Sequence, residues 1–193
     1  MTQTAVPSTT TPSHGLRTVY LVRTVFSLIW ATIVFTTSTT LVSADEPTVL
    51  AAVLLTIYPL WDAVATLLER RIAGGATDRV GTVNLVLDLA ATVGILVASF
   101  GTVGKILLVF GVWALLSGAI QLTVAVRRRR VVGAQWPMIV SGGLSVLAGA
   151  SFAAMSASAT SGLSTIAGYS LFGAFWFVVS AIALTVRARS ARS

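Results

Sequence analysis

Three ionisable residues stand inside otherwise apolar stretches of this 193-residue chain: Arg23, Asp62 and Asp88. A charge at mid-membrane depth costs roughly 2.5–3.5 kcal/mol on insertion scales, so each needs a partner or water. Counted from Arg17, Glu69 and Arg79 at about 1.5 Å per residue, the three lie roughly 9, 10 and 13 Å inside one boundary. Asn84 falls one turn from Asp88, and Gln121 and Ser180 reach similar depth in later segments. Two carboxylates near one cation in low dielectric need not both ionise, which would make the layer a proton- or cation-responsive site. The competing reading is a buried structural ion pair, with Arg23 snorkelling and the second carboxyl protonated or hydrogen-bonded to Asn84. Spacing alone does not show whether these faces meet.

Other reactive chemistry is missing from the sequence. Cysteine is absent, and the single histidine, His14, lies in a Thr/Ser/Pro-rich segment, so neither thiolate nor imidazole is placed for catalysis or metal binding. There is no G-x-x-x-x-G-K loop, no H-E-x-x-H and no G-x-S-x-G elbow, and neither aspartate has a G-x-G-D setting. The expectation is a non-enzymatic protein with no catalytic residue, metal or cofactor.

The elements that must position the ionic layer follow from composition. The chain is 55% hydrophobic and only 10% charged, with a mean hydropathy of +0.90, where a soluble domain carries about 25% charged residues. Apolar runs fall near 19–42, 48–68, 80–100, 104–126, 136–157 and 163–186, each close to the roughly 20 residues a helix needs to cross hydrocarbon. The predicted fold is all-α and polytopic: six transmembrane helices between residues 17 and 187, paired as hairpins at 19–68, 80–126 and 136–186. Residues 1–16 read as a disordered tail and 188–193 as a short basic one. Asp45-Glu46-Pro47 and Trp136-Pro137 are expected to start helices, and Gly74-Gly75 and Gly101 to mark turns. Span one is longer than the roughly 7–15 residues of a signal-peptide core, despite the small-residue pattern Val42-Ser43-Ala44.

All twelve arginines fall on one side of this topology: Arg17 and Arg23, Arg70, Arg71 and Arg79, Arg127 to Arg130, and Arg187, Arg189 and Arg192. The other side holds Asp45, Glu46 and Lys105, then the uncharged segment 158–162. The excess of basic residues marks the cytoplasmic side, so both termini are expected there. The net charge of +7 flanks apolar segments and forms no basic stripe with aromatics, which argues against nucleic acid. Arg127, Arg128, Arg129 and Arg130 instead suit anionic lipid headgroups at the cytoplasmic face.

The even-numbered runs end alike. Trp113 opens W-A-L-L-S-G-A-I-Q-L-T-V, Trp176 opens W-F-V-V-S-A-I-A-L-T-V, and Trp61 opens W-D-A-V-A-T-L-L-E-R-R. Weaker echoes join Phe26–Ile29, Leu87–Ala90 and Leu144–Leu147, so the repeating unit is a two-helix hairpin used three times. With G-G-L-S-V-L-A-G from Gly142 and Y-L-V-R-T-V-F-S from Tyr20, the chain resembles the HdeD-like bacterial inner-membrane proteins, which carry a short hairpin repeat of unknown function (DUF308-type). The resemblance runs over roughly residues 18–187. It implies a six-span protein of the bacterial inner membrane, a link to acid resistance or stress, and no established catalytic site.

Two further features bear on function. Small residues at Gly142, Gly143, Ser145, Ala148, Gly149 and Ser151, with Gly111 and Gly118, allow close helix contact, either as a homo-oligomer seam or as packing within the bundle. Pro59 should kink span two just before Asp62. The leading expectation is a multi-pass membrane protein without enzymatic activity, linked to stress. The alternative is a small transporter or proton-linked channel using the Arg/Asp cluster, which requires those side chains to line a water-reachable cavity.

Overall fold

The structure, a computed structural model, describes residues 11–43, 46–72, 79–132, 136–157 and 164–190. Six helices carry the chain: α1 (Thr11–Thr36), α2 (Val49–Ile72), α3 (Arg79–Ala98), α4 (Val103–Val132), α5 (Trp136–Met155) and α6 (Ser164–Ser190). Between α1 and α2 lie a 3-10 turn (Ser38–Thr40) and a two-stranded antiparallel ribbon, β1 (Val42–Ser43) and β2 (Glu46–Pro47), with Val42 opposite Pro47 and Ser43 opposite Glu46.

Several boundaries differ from those read in the sequence, for local physical reasons. Helix α1 begins at Thr11, inside the segment expected to be irregular; Pro12 falls in its first turn, where a missing N–H costs nothing. It ends at Thr36 instead of running on to 42. In that stretch the hydroxyls of Thr36 and Thr37 turn back to the Ile33 carbonyl at 3.2 and 2.6 Å, competing for the bonds that would propagate the helix. Glu46-Pro47 does not cap α2 but pairs in the ribbon, and the cap is Thr48, whose hydroxyl accepts the Ala51 amide at 3.4 Å. Asp45, Gly74-Gly75, the segment 158–162 and Arg192 lie outside the described residues. Trp136-Pro137 opens α5 as expected, and Gly101 sits in the turn after α3, its amide bonded to the Ala98 carbonyl at 2.9 Å. Pro59 lies within α2, fully buried, three residues before Asp62.

Five helices hold segments long and apolar enough to cross a membrane: Thr18–Thr36, Val49–Ile72, Arg79–Ala98, Val103–Arg127 and Trp136–Met155. In α6 the apolar stretch among described residues is the shorter Ile166–Trp176. Exposure follows the same logic. Val25, Ile29, Val86, Val93, Val97 and Leu147 are all more than half exposed, an outer belt of aliphatic surface that water would penalise and hydrocarbon accepts. The polar side chains Thr24, Ser27, Asp88 and Ser170 are buried inside.

Each helix packs against the next, and α6 returns to α1, so the bundle closes as a ring. Neighbours run antiparallel: Arg23 meets Asp62 while Trp30 meets Leu54, and Phe152 meets Tyr169 while Trp136 meets Trp176. The starts of α1, α3 and α5 therefore share one end of the bundle with the ends of α2, α4 and α6. That end carries Arg70, Arg71, Arg79, Arg127 and Arg129. The most extensive seams are α4 with α5, α1 with α6 and α2 with α3, which join different sequence hairpins.

The α4–α5 seam is a glycine crossing. A Cβ on Gly111 would meet the Gly149 carbonyl at 2.7 Å, and one on Gly118 would meet the Gly142 carbonyl at 2.9 Å, so the two backbones touch directly. The small-residue stripe is used here within the chain. Gly143, on the other side of α5, has open space around it.

The two halves of the bundle differ in what they bury. Away from the arginine-rich end, Leu41, Leu55, Ile95, Ile106, Leu107, Phe110 and Ile166 are completely enclosed and form an apolar plug. Toward the arginine-rich end the helices enclose a cavity.

Candidate functional site

Arg23 projects from the middle of α1 toward the second half of α2. Its Nη2 donates to Asp62 Oδ1 and its Nη1 to Glu69 Oε1 at 2.6 Å. Asp62 and Glu69 are seven residues apart, two helical turns, and so share a face. Helical side chains lean toward the N-terminus, which brings the longer Glu69 back to the guanidinium. The planar fork of arginine suits such a bridge between two acceptors. The Arg23 side chain is 11% exposed and both carboxylates 28%. One turn along α1, Phe26 stacks on Trp61 with centroids 4.7 Å apart, an aromatic wall beside the ion pairs.

Asp88 takes a different partner from the one the sequence suggested. It is only 1% exposed, and its Oδ1 accepts the indole N–H of Trp113 from α4 at 2.9 Å. The Thr66 side chain of α2 lies near the carboxyl, but Oδ2 is buried without a well-formed hydrogen bond. Asn84, one turn earlier on α3, likewise has a buried Oδ1 with no partner, and so does the hydroxyl of Ser117, one turn beyond Trp113 on α4. No Asn84–Asp88 hydrogen bond, one of the arrangements open from the sequence, forms here; both residues and Ser117 leave a buried polar atom unmet. Gln121 reaches the Met138 carbonyl at 3.4 Å, tying α4 to α5, while the Ser180 side chain lies outside the described atoms.

These groups share one cavity of about 480 Å³, walled by all six helices. Arg23, Asp62, Asn84 and Asp88 all line it, as do Glu69, Trp113 and Ser117. Of its lining residues, Tyr20, Arg70, Val80, Pro137 and Met138 lie nearest the arginine-rich end. Its floor is aromatic: Tyr58 stands perpendicular to Trp113 at 6.0 Å, and Tyr169 donates to the Ser145 hydroxyl at 3.2 Å. Beneath the floor, Phe110 touches Tyr58, Trp113, Phe152 and Tyr169 at centroid distances of 5.2–6.0 Å. The arrangement is a one-sided vestibule, polar and charged above an apolar plug.

The sequence set Arg23, Asp62 and Asp88 at one depth and left open whether their faces meet; in the structure Arg23 pairs with Asp62, and Asn84 and Asp88 line the same cavity. Sequence reasoning missed Glu69, Trp113 and Ser117. The seven-residue spacing of Asp62 and Glu69 was the available signal for the first. Arg127 and Arg129 are exposed near the end of α4, which continues to Val132, five residues past its apolar span; the Arg128 and Arg130 side chains lie outside the described atoms.

Residues 86–154 match the model of a family described as a short repeat of unknown function (DUF308). The match runs from the middle of α3 to the end of α5, taking in Asp88, Trp113 and the glycine crossing, and leaving Arg23, Asp62 and Glu69 outside it. No curated protein and no solved structure matches the chain.

Proposed function

We propose that this is a non-enzymatic, six-span protein of the bacterial inner membrane, of HdeD-like type, whose vestibule binds a small solute from the cytoplasmic side as a transporter or channel does. The observation that carries this reading is the shared cavity: Arg23, Asp62, Glu69, Asn84 and Asp88 come from three helices and line one space of about 480 Å³. The arginine excess assigns the arginine-rich end, and with it both termini, to the cytoplasm. Arg127 to Arg130 rest against anionic headgroups there. The apolar plug is then the barrier that passage of a solute must open. A stress or acid-resistance phenotype in a deletion strain would attach a physiological role to the same molecule.

The chain lacks cysteine, so single-cysteine variants report access without a background. Ser117→Cys in membrane vesicles should react with a water-soluble thiol reagent applied to the cytoplasmic face and resist it from the exterior. Ile106→Cys, within the plug, should resist both. Protection of Ser117→Cys from both faces in a folded protein would sink the vestibule reading. A reporter fused after Ser193 should register as cytoplasmic and one inserted beside Pro47 as exterior; the reverse pattern would overturn the orientation.

A further inference from the structure

The chemistry of the cavity wall narrows what it takes, an inference that rests on the vestibule reading. Two cations, Arg23 and Arg70, and three carboxylates, Asp62, Glu69 and Asp88, line the space. Arg23 is committed to Asp62 and Glu69. Arg23 acts on Asp88 electrostatically across the cavity, but among the described residues no cation forms an ion pair with this 1% exposed carboxyl. With Arg23 already shared between two other carboxylates, a buried carboxylate without a cation in contact is disfavoured, so a cationic guest gains most at this wall.

The unmet atoms specify more than charge. Asp88 Oδ2 and Asn84 Oδ1 are buried acceptors one turn apart on α3, and the Ser117 hydroxyl faces the same cavity from α4. A buried acceptor left without a donor costs about 1–3 kcal/mol, so the matching guest carries several N–H groups on its charged head. Beside them, Tyr58 and Trp113 meet at 85°, an aromatic corner that accepts an apolar body or the flank of a cation. A volume of about 480 Å³ lies within the roughly 300–1,000 Å³ of small-molecule pockets.

We propose that the vestibule binds a small protonated amine with an apolar body, its ammonium N–H groups shared between Asp88 Oδ2 and Asn84 Oδ1 and its body against Tyr58 and Trp113.

The test uses the full chain in lipid nanodiscs and four probes of one shape: 2-phenylethylammonium, 2-phenylethanol, benzyltrimethylammonium and phenylacetate. Thermal stabilisation of the unmodified protein and slowing of Ser117→Cys labelling are the two readouts. The amine should stabilise saturably and slow labelling, with 2-phenylethanol and phenylacetate at least about tenfold weaker, as the loss of a charge-assisted hydrogen bond requires. Benzyltrimethylammonium, a cation without N–H donors, should fall between. Asp88→Asn keeps an oxygen for Trp113 and should bring the amine down to the level of the alcohol. Asn84→Leu should weaken it as well, which keeps the test decisive if Asp88→Asn folds poorly.

Equal binding of amine and alcohol would mean an apolar pocket only, and preference for phenylacetate an anion site at Arg23 or Arg70. Equal binding of both cations would remove Asp88 and Asn84 as hydrogen-bond acceptors. Each of these overturns the proposal. Labelling of Ser117→Cys that no amine slows defeats it while leaving the vestibule standing, whereas absence of labelling defeats the vestibule itself.

Discussion

The carboxylate of Asp88 on α3 accepts the indole N–H of Trp113 on α4 at 2.9 Å, in a place only 1% accessible. The pair ties α3 to α4 at the cavity wall, where the second carboxylate oxygen is also buried. It also lies inside the segment that matches the repeat family, so the match reaches the polar wall as well as the apolar scaffold.

Trp113→Phe removes the indole donor and leaves Asp88 with the nearby Thr66 side chain but no well-formed hydrogen bond to either oxygen. The expected loss is about 1–3 kcal/mol of stability, the cost of stranding a buried acceptor. Adding Asp88→Leu should return part of that loss, because no polar group then remains to satisfy. Thermal unfolding of Trp113→Phe, Asp88→Leu and the double variant in nanodiscs decides the point. A double mutant less stable by the full sum of the two single losses would mean that the bond contributes nothing.

Arg23 supports two carboxylates at once, so its removal is not equivalent to the removal of either. Arg23→Ala should destabilise more than Asp62→Asn or Glu69→Gln, since it leaves two negative charges facing each other. The 28% exposure of both acids keeps the effect below the roughly 3–5 kcal/mol of a fully buried pair. In the triple variant Arg23→Ala/Asp62→Asn/Glu69→Gln stability should recover, measured by the same unfolding assay. Strict additivity across this set would show that the bridge carries no coupling.

What the sequence made legible divides along physical lines. Hydropathy is a property of segments, so the apolar runs and the turn at Gly101 were readable, and depth along a helix follows from counting, so Arg23, Asp62 and Asp88 could be set at one level. Azimuth is a property of packing. The sequence could not tell that Asp88 turns to Trp113 and Arg23 to Glu69, because a charged residue beside Arg70 and Arg71 reads equally well as an interfacial boundary. The end of α1 was missed because hydropathy ignores the threonine hydroxyls that turn back on Ile33. Small residues announced a close seam without naming its partner, and only the backbone approach of Gly111 to Gly149 does that.

Gly149 and Gly143 lie on one helix and should respond oppositely to the same change. Alanine at 149 drives a methyl group into the α4 backbone at Gly111 and Leu115, where nothing flexible can move aside. Overpacking of this kind costs about 1–3 kcal/mol. Alanine at 143 meets nothing within 4 Å and should stabilise by up to about 1 kcal/mol through helix propensity. Unfolding of Gly149→Ala and Gly143→Ala side by side checks the assignment of the seam. Equal effects would place the α4–α5 contact on another face.

Phe110 is the residue on which the one-sidedness of the cavity depends. Its ring is completely enclosed, and Tyr58 and Trp113 above it and Phe152 beside it lie within 5.2–6.0 Å by centroid. Phe110→Ala should cost about 3–5 kcal/mol, the range for emptying a buried aromatic site. More informatively, the new void adjoins the vestibule floor, so the polar space extends toward Ile106 and Leu107. Ile106→Cys, shielded in the parent protein, should then become reactive to a thiol reagent from the arginine-rich side, and liposomes carrying Phe110→Ala should leak small cations faster. Phe110→Leu refills most of the volume and should restore the seal. If Ile106→Cys stays unreactive in a folded Phe110→Ala protein, the plug does not depend on this ring, and the barrier must lie deeper, among Leu55, Ile95 and Ile166.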